Sequence, residues 1–161
     1  MTLDVNIEVI VSNIFKDHIS YTIHNINNLT TDPDNAVINY LKNEGLIDLN
    51  SYIVHSTSWR YKKPDCIILT YLVVIPIDSE IVLNNILDIR KTSITNNNKT
   101  FKPRPEFIRK ESVIRHAFRH LAYLIKHDYK NLYKKLLTED QKKYILNVYD
   151  EVAEEITALS S

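Results

Sequence analysis

The sequence predicts an α+β domain: an antiparallel sheet of about four strands, helices packed on one face, and a helical C-terminal third. Three observations carry that prediction. Apolar and polar residues alternate in paired segments of the first half, at the period of strands with one buried face. In the second half Ile114, Phe118, Leu121 and Ile125 recur at steps of four, three and four, the period of an amphipathic helix. Helix-start signals stand at Asp32-Pro33 and at Thr138 with Gln141.

Residues 5–15 and 18–26 read as a first hairpin, with Ile19, Tyr21 and Ile23 alternating against His18, Ser20, Thr22 and His24. Asp32 then caps a helix that has Pro33 at its first position and ends at Gly45. Ala36, Val37, Tyr40 and Leu41 form the buried side of that helix. Residues 51–62 and 66–76 form a second hairpin. Ile67 to Ile75 is almost wholly apolar and β-branched, the pattern of a central strand covered on both faces. Simple alternation in its partner turns Ile53, His55, Thr57, Trp59 and Tyr61 one way, and Val54, Ser56, Ser58 and Arg60 the other.

A helix is expected from Asp78 to about Arg90. Residues 91–105, with Asn96 to Asn98 and prolines 103 and 105, read as a loop. Beyond it the chain is helical over 106–161: the segment 111–127, a short piece around 129–137, and a last helix after Thr138. Ile145, Val148, Val152 and Ile156 are the apolar stripe of that last helix. The whole of 1–161 is expected to be one domain, with 1–90 mostly β-hairpins plus helices.

Composition narrows the function classes. The 161 residues are 44% hydrophobic and carry no net charge, but the charge is segregated. Residues 99–143 hold thirteen Lys/Arg against five Asp/Glu, which points to an anionic partner for that third. Cys66 is the single cysteine, so no internal disulfide can form, in keeping with a reducing cytoplasm. The N-terminus lacks a basic leader region, and the longest apolar run, Cys66 to Ile77, is broken by Thr70 and Pro76. A cytoplasmic protein with no membrane contact is therefore expected. Gly45 is the only glycine, which excludes Gly-rich phosphate loops and dinucleotide fingerprints.

The segment from Glu111 to His127 holds the main candidate site. At about 100° per residue, His116, His120, Tyr123 and His127 share the face opposite the apolar stripe, with Arg115, Arg119 and Lys126 on its flank. With Arg109, these residues make a surface suited to an anion. The basic run from Lys99 is interleaved with Phe101, Phe107 and Phe118, a mixture of cations and rings able to grip single-stranded nucleic acid. His116 and His120 also have the spacing of paired metal ligands, but no Asp, Glu or Cys lies on that face and two arginines adjoin it. No metal and no cofactor are expected.

Three resemblances follow from these motifs. Arg115 to His120, RHAFRH, resembles the active-site motif of HEPN-type ribonucleases, helical domains that act as dimers. That likeness implies metal-independent RNA cleavage, with Arg115 stabilising phosphate charge, His120 moving a proton and His116 filling the polar second position. His18-Ile-Ser20 and His55-Ser-Thr57 are similar to the paired motifs of 2H phosphoesterases, which implies two histidines serving as acid and base. The segments HSTSWRY, ILTYL and RHLAY resemble parts of small uncharacterised bacterial proteins, which implies no activity, cofactor or partner.

The sequence thus favours a cytoplasmic binding or regulatory module over an enzyme. Its partner would be a protein or a nucleic acid, met through Arg109, Arg115, His116, Arg119, His120, Tyr123 and His127, and the C-terminal helices offer a route to a homo-oligomer. The alternative is a ribonuclease built on Arg115 and His120.

Overall fold

The computed structural model describes residues 3–46, 51–90 and 110–147. In chain order the elements are β1 (Asp4–Ile14), β2 (Ile19–Ile26), α1 (Pro33–Asn43), β3 (Ile53–Lys63), β4 (Cys66–Val74), β5 (Asn85–Leu87) and α2 (Lys110–Lys126). A 3-10 turn at Lys134–Leu136 and a helix over residues 139–147, here α3, follow. The expected loop at 91–105 lies outside the described residues, as do Arg109, Val148, Val152 and Ile156.

The class is α+β, but the sheet is mixed and five-stranded, in the order β3-β4-β1-β2-β5, rather than antiparallel with about four strands. β3 and β4 pair antiparallel as a hairpin. β1 and β4 run parallel, from Asp4 opposite Cys66 to Ser12 opposite Val74. Periodicity identifies a strand without naming its neighbour; β4 is almost wholly apolar and β1 is buried on both faces over its second half, which suits the centre of a sheet.

The expected helix from Asp78 to Arg90 is absent. Ser79 N–H closes a turn on the Pro76 carbonyl at 3.0 Å, and Ser79 Oγ accepts from Ile81 N–H at 3.3 Å. Side-chain turns of this kind compete with helix initiation. The chain is then held along β2, where Thr22 Oγ1 accepts from Asn84 N–H at 3.1 Å and Asn85 Nδ2 donates to the Tyr21 carbonyl at 3.3 Å. An open sheet edge overrides local helix preference here.

The chain divides into two compact units, Met1–Ile14 with Ser20–Asn85, and Phe15–Ile19 with Ile86–Ser161. In the first, Ile7, Val9 and Val11 of β1 join Tyr71, Val73 and Ile75, and Val37 and Leu41 of α1 close over them. Ala36 and Tyr40 pack at the edge of that cluster. α1 starts as expected: the Asp32 carboxylate accepts from Asn35 N–H at 3.2 Å, and Pro33 occupies the first turn. It ends at Gly45, whose φ of +88° is a conformation that side-chain-bearing residues rarely adopt.

In the second unit the stripe of α2 is buried as the spacing predicts, widened by Val113, Ala117 and Ala122. The Thr138–Gln141 capping box is complete. Thr138 Oγ1 accepts from Gln141 N–H at 3.2 Å, and Gln141 Oε1 accepts from Thr138 N–H at 2.8 Å. Tyr144 of α3 is fully buried, donates to Asp88 Oδ1 at 2.9 Å and accepts from Ile89 N–H at 3.0 Å. Arg90 Nε and Nη2 each donate to the Asp88 carboxylate at 3.0 Å, and the guanidinium lies 5.1 Å from the Tyr144 ring centre.

The hydrogen bonds from Arg90 hold the Asp88 carboxyl down at about 2, against the opposing effect of its burial and with help from Tyr144. A carboxyl with a depressed folded pKa stabilises the fold above its unfolded value and loses that contribution as pH falls through the folded one. Between pH 3.8 and about 2, the wild type should therefore lose about 2 kcal/mol that Asp88→Asn lacks throughout. Urea unfolding of both proteins across that range measures the difference, and parallel curves would contradict this account.

Candidate functional site

α2 presents its polar face as the helical period requires. His116, Tyr123, Lys126 and His127 are exposed, and Arg115, Arg119 and His120 are half-buried. Arg115 directs its Nε inward, away from solvent. Arg115 and His120 are five residues apart and so sit about 140° apart around the helix axis. One copy of α2 therefore does not aim both side chains at the same phosphate.

The face continues past the end of the helix. The His127 ring centre is 4.5 Å from that of Tyr123, with the rings tilted 47°, and 6.3 Å from that of Tyr129, with the rings at 66°. Tyr123 is 51% exposed and Tyr129 89% exposed. Tyr129, Lys130 and Lys134 are the members of this surface that helical periodicity missed, because they follow the helix end. The signal available was the pairing of aromatic and basic residues in HDYK.

Asp128 decides the charge of the region. It is the single acid between Glu111 and Glu139, a stretch with six Lys/Arg. Its side chain is buried and turned back into its own chain. Oδ1 accepts from Leu132 N–H at 2.8 Å, and Oδ2 accepts from Tyr133 and Lys134 N–H at 2.7 and 2.9 Å. Burial raises this carboxyl, but the three backbone donors outweigh it and hold the group below the usual carboxylate range. The negative charge thus serves the chain reversal, in which Asn131 adopts a φ of +59°, and is kept off the surface. A second basic feature adjoins the helix end: an open cavity of about 760 Å³ where Lys126, Lys134, Lys142 and Lys143 meet Glu139 and Asp140. Lys142 and Glu139, one turn apart on α3, pair at 2.6 Å.

Each strand motif of the 2H resemblance has its own setting. Alternation in β3 is broken by a bulge between Ser56 and Ser58, so His55 pairs across with Leu72 while Ser58 pairs with Thr70. His55 is half-buried, and burial lowers its pKa against the opposing field of Asp34. His18 Nδ1 is 2.7 Å from Asp17 Oδ1, and its ring stacks on Phe15 at 4.7 Å. The same bulge moves Trp59 and Tyr61 off the expected face. They pack edge-to-face at 5.5 Å and are 58% and 60% exposed.

Two polar sites of the first unit were not foreseen. Arg60 forks onto Glu8, with Nη1 to Oε1 and Nη2 to Oε2 each at 3.2 Å, and also reaches Thr70 Oγ1 at 3.2 Å. A small cavity of about 180 Å³ holds Thr22, His24, Tyr40 and Glu44 among apolar neighbours. Burial, with the charge of Glu44, pushes the Tyr40 hydroxyl up. Among the described residues, no group of three or more His, Cys, Asp or Glu side chains could hold a metal ion. Among the same residues, no helix is long and apolar enough to cross a membrane.

Asp128→Ala should lower the thermal midpoint, because three backbone donors lose a shared acceptor, whereas Asp128→Asn should retain part of the cap. Thermal unfolding followed by circular dichroism checks this. An alanine variant as stable as the wild type would contradict it.

Compared with known protein families, with curated proteins and with solved structures, the chain matches none.

Proposed function

We propose that this chain is a cytoplasmic binding module that takes an anionic partner on the outer face of α2 and the turn following it. The observation that carries the reading is the commitment of Asp128 to three backbone N–H groups. Asp128 apart, every Asp, Glu, Lys or Arg between Glu111 and Glu139 is a cation: Arg115, Arg119, Lys126, Lys130, Lys134 and Lys135. Binding needs only that charge and its exposure. The proposed contacts are Arg115, His116, Arg119, His120, Tyr123 and His127, with Arg109 as an added cation outside the described residues. The wild type should be retained on immobilised heparin and should elute at a defined salt concentration. Arg119→Glu with Lys126→Glu should elute at markedly lower salt, and retention indifferent to salt would sink the reading.

The ribonuclease reading uses the same face and requires a second copy of the chain, because Arg115 and His120 diverge on a single helix. Purified protein incubated with mixed single-stranded RNA, beside His120→Ala, should leave the RNA intact in both cases. Cleavage by the wild type that the substitution abolishes would replace the binding module with an enzyme.

A further inference from the structure

We infer that the strip from Arg119 to Lys130 binds single-stranded nucleic acid, with bases stacking on Tyr123, His127 and Tyr129 and phosphates paired with Arg119, Lys126 and Lys130. The inference rests on the anion-binding reading above and names its occupant. Charge complementarity alone would admit any polyanion, and the rings narrow the choice. Tyr123, His127 and Tyr129 form a continuous series, with centres 4.5 and 6.3 Å apart. The two tyrosines are 51% and 89% exposed, on a surface where aromatic rings are not needed for packing.

Exposed rings interleaved with cations are what a flexible strand uses. Every unpaired base offers a flat face to a ring, and each phosphate needs a nearby positive charge. A duplex hides its base faces and would engage only the cations. From Arg119 to His127 the helix rises about 12 Å, room for a few nucleotides rather than for one small anion. The inward turn of Asp128, set between Lys126 and Lys130, keeps the one carboxylate of the strip out of direct contact with a phosphate. A protein interface also favours tyrosine, but its centre is depleted of lysine, and here Lys126 and Lys130 stand among the rings.

The test uses the full chain and a fluorescein-labelled oligouridylate of about twelve nucleotides, read by fluorescence anisotropy. The wild type should bind this strand more tightly than a duplex of equal length. Tyr123→Ala with Tyr129→Ala should weaken it by about tenfold or more, while Tyr123→Phe with Tyr129→Phe, which keeps both rings, should bind as the wild type does. The far-ultraviolet circular dichroism and thermal midpoint of the alanine variant should match those of the wild type, which reports an intact fold. Unchanged oligouridylate binding by the alanine variant, or equal affinity for the duplex, overturns the inference and leaves the anion-binding reading standing. Failure of the wild type to bind heparin removes that reading and this inference together.

Discussion

The parallel pairing of β1 with β4 is the constraint on which the first unit depends. Both strands are enclosed on two faces: Ile7, Val9 and Val11 of β1 lie on one, Ile10, Ser12 and Ile14 on the other, all buried. Parallel neighbours need a long crossover, and β2, α1 and β3 are the chain that supplies it. Polar atoms inside such a pair need partners. Ser12 Oγ donates to the Val73 carbonyl at 3.0 Å, and Thr70 Oγ1 accepts from Arg60 and donates to Glu8 Oε1 at 3.4 Å. The fork of Arg60 onto Glu8 stands where Thr70 interrupts the apolar run of β4, and it satisfies a carboxylate that the strand leaves half-covered.

What could be read from the sequence was decided within a few residues. Asp32 with Pro33, Gly45, and Thr138 with Gln141 each act over a single turn, and the structure holds all three as expected. The stripe of α2 was equally legible, because burial of a helix side repeats at a fixed period. The missed features depend on distant chain. β4 is recruited by β1 from more than fifty residues away, and β5 forms because β2 has an open edge. The bulge near Thr57 inverts the outer half of β3, which no count of alternating residues reveals. One misreading changed the chemistry directly: alternation assigned Trp59 and Tyr61 to the face of His55, and the inverted register leaves them on the surface instead.

On the candidate face, periodicity showed which side chains point outward but not which charges remain there. Sequence counts treat Asp128 as a surface acid amid lysines. Its burial against three backbone donors makes it a structural group that offers no free carboxylate at the surface, although its charge still counts in the local balance. The same carboxylate fixes the turn that sets Tyr129 beside His127. Removing it would disturb the ring series and the charge pattern together, so the cap and the surface are one device.

That coupling also bears on whether the face binds or reacts. Acid–base catalysis by a histidine needs a second group to orient the ring and a charge stabiliser aimed at the same atom. Arg115 turns its Nε inward and sits about 140° around the axis from His120, so the two are not aimed at one atom. A binding surface makes weaker demands, since spaced positive charge and open rings suffice, and a continuous helix followed by a capped turn holds both in place. The ribonuclease reading therefore asks for a second copy of the chain, because Arg115 and His120 diverge on one helix, whereas the binding reading asks for α2 and its turn alone.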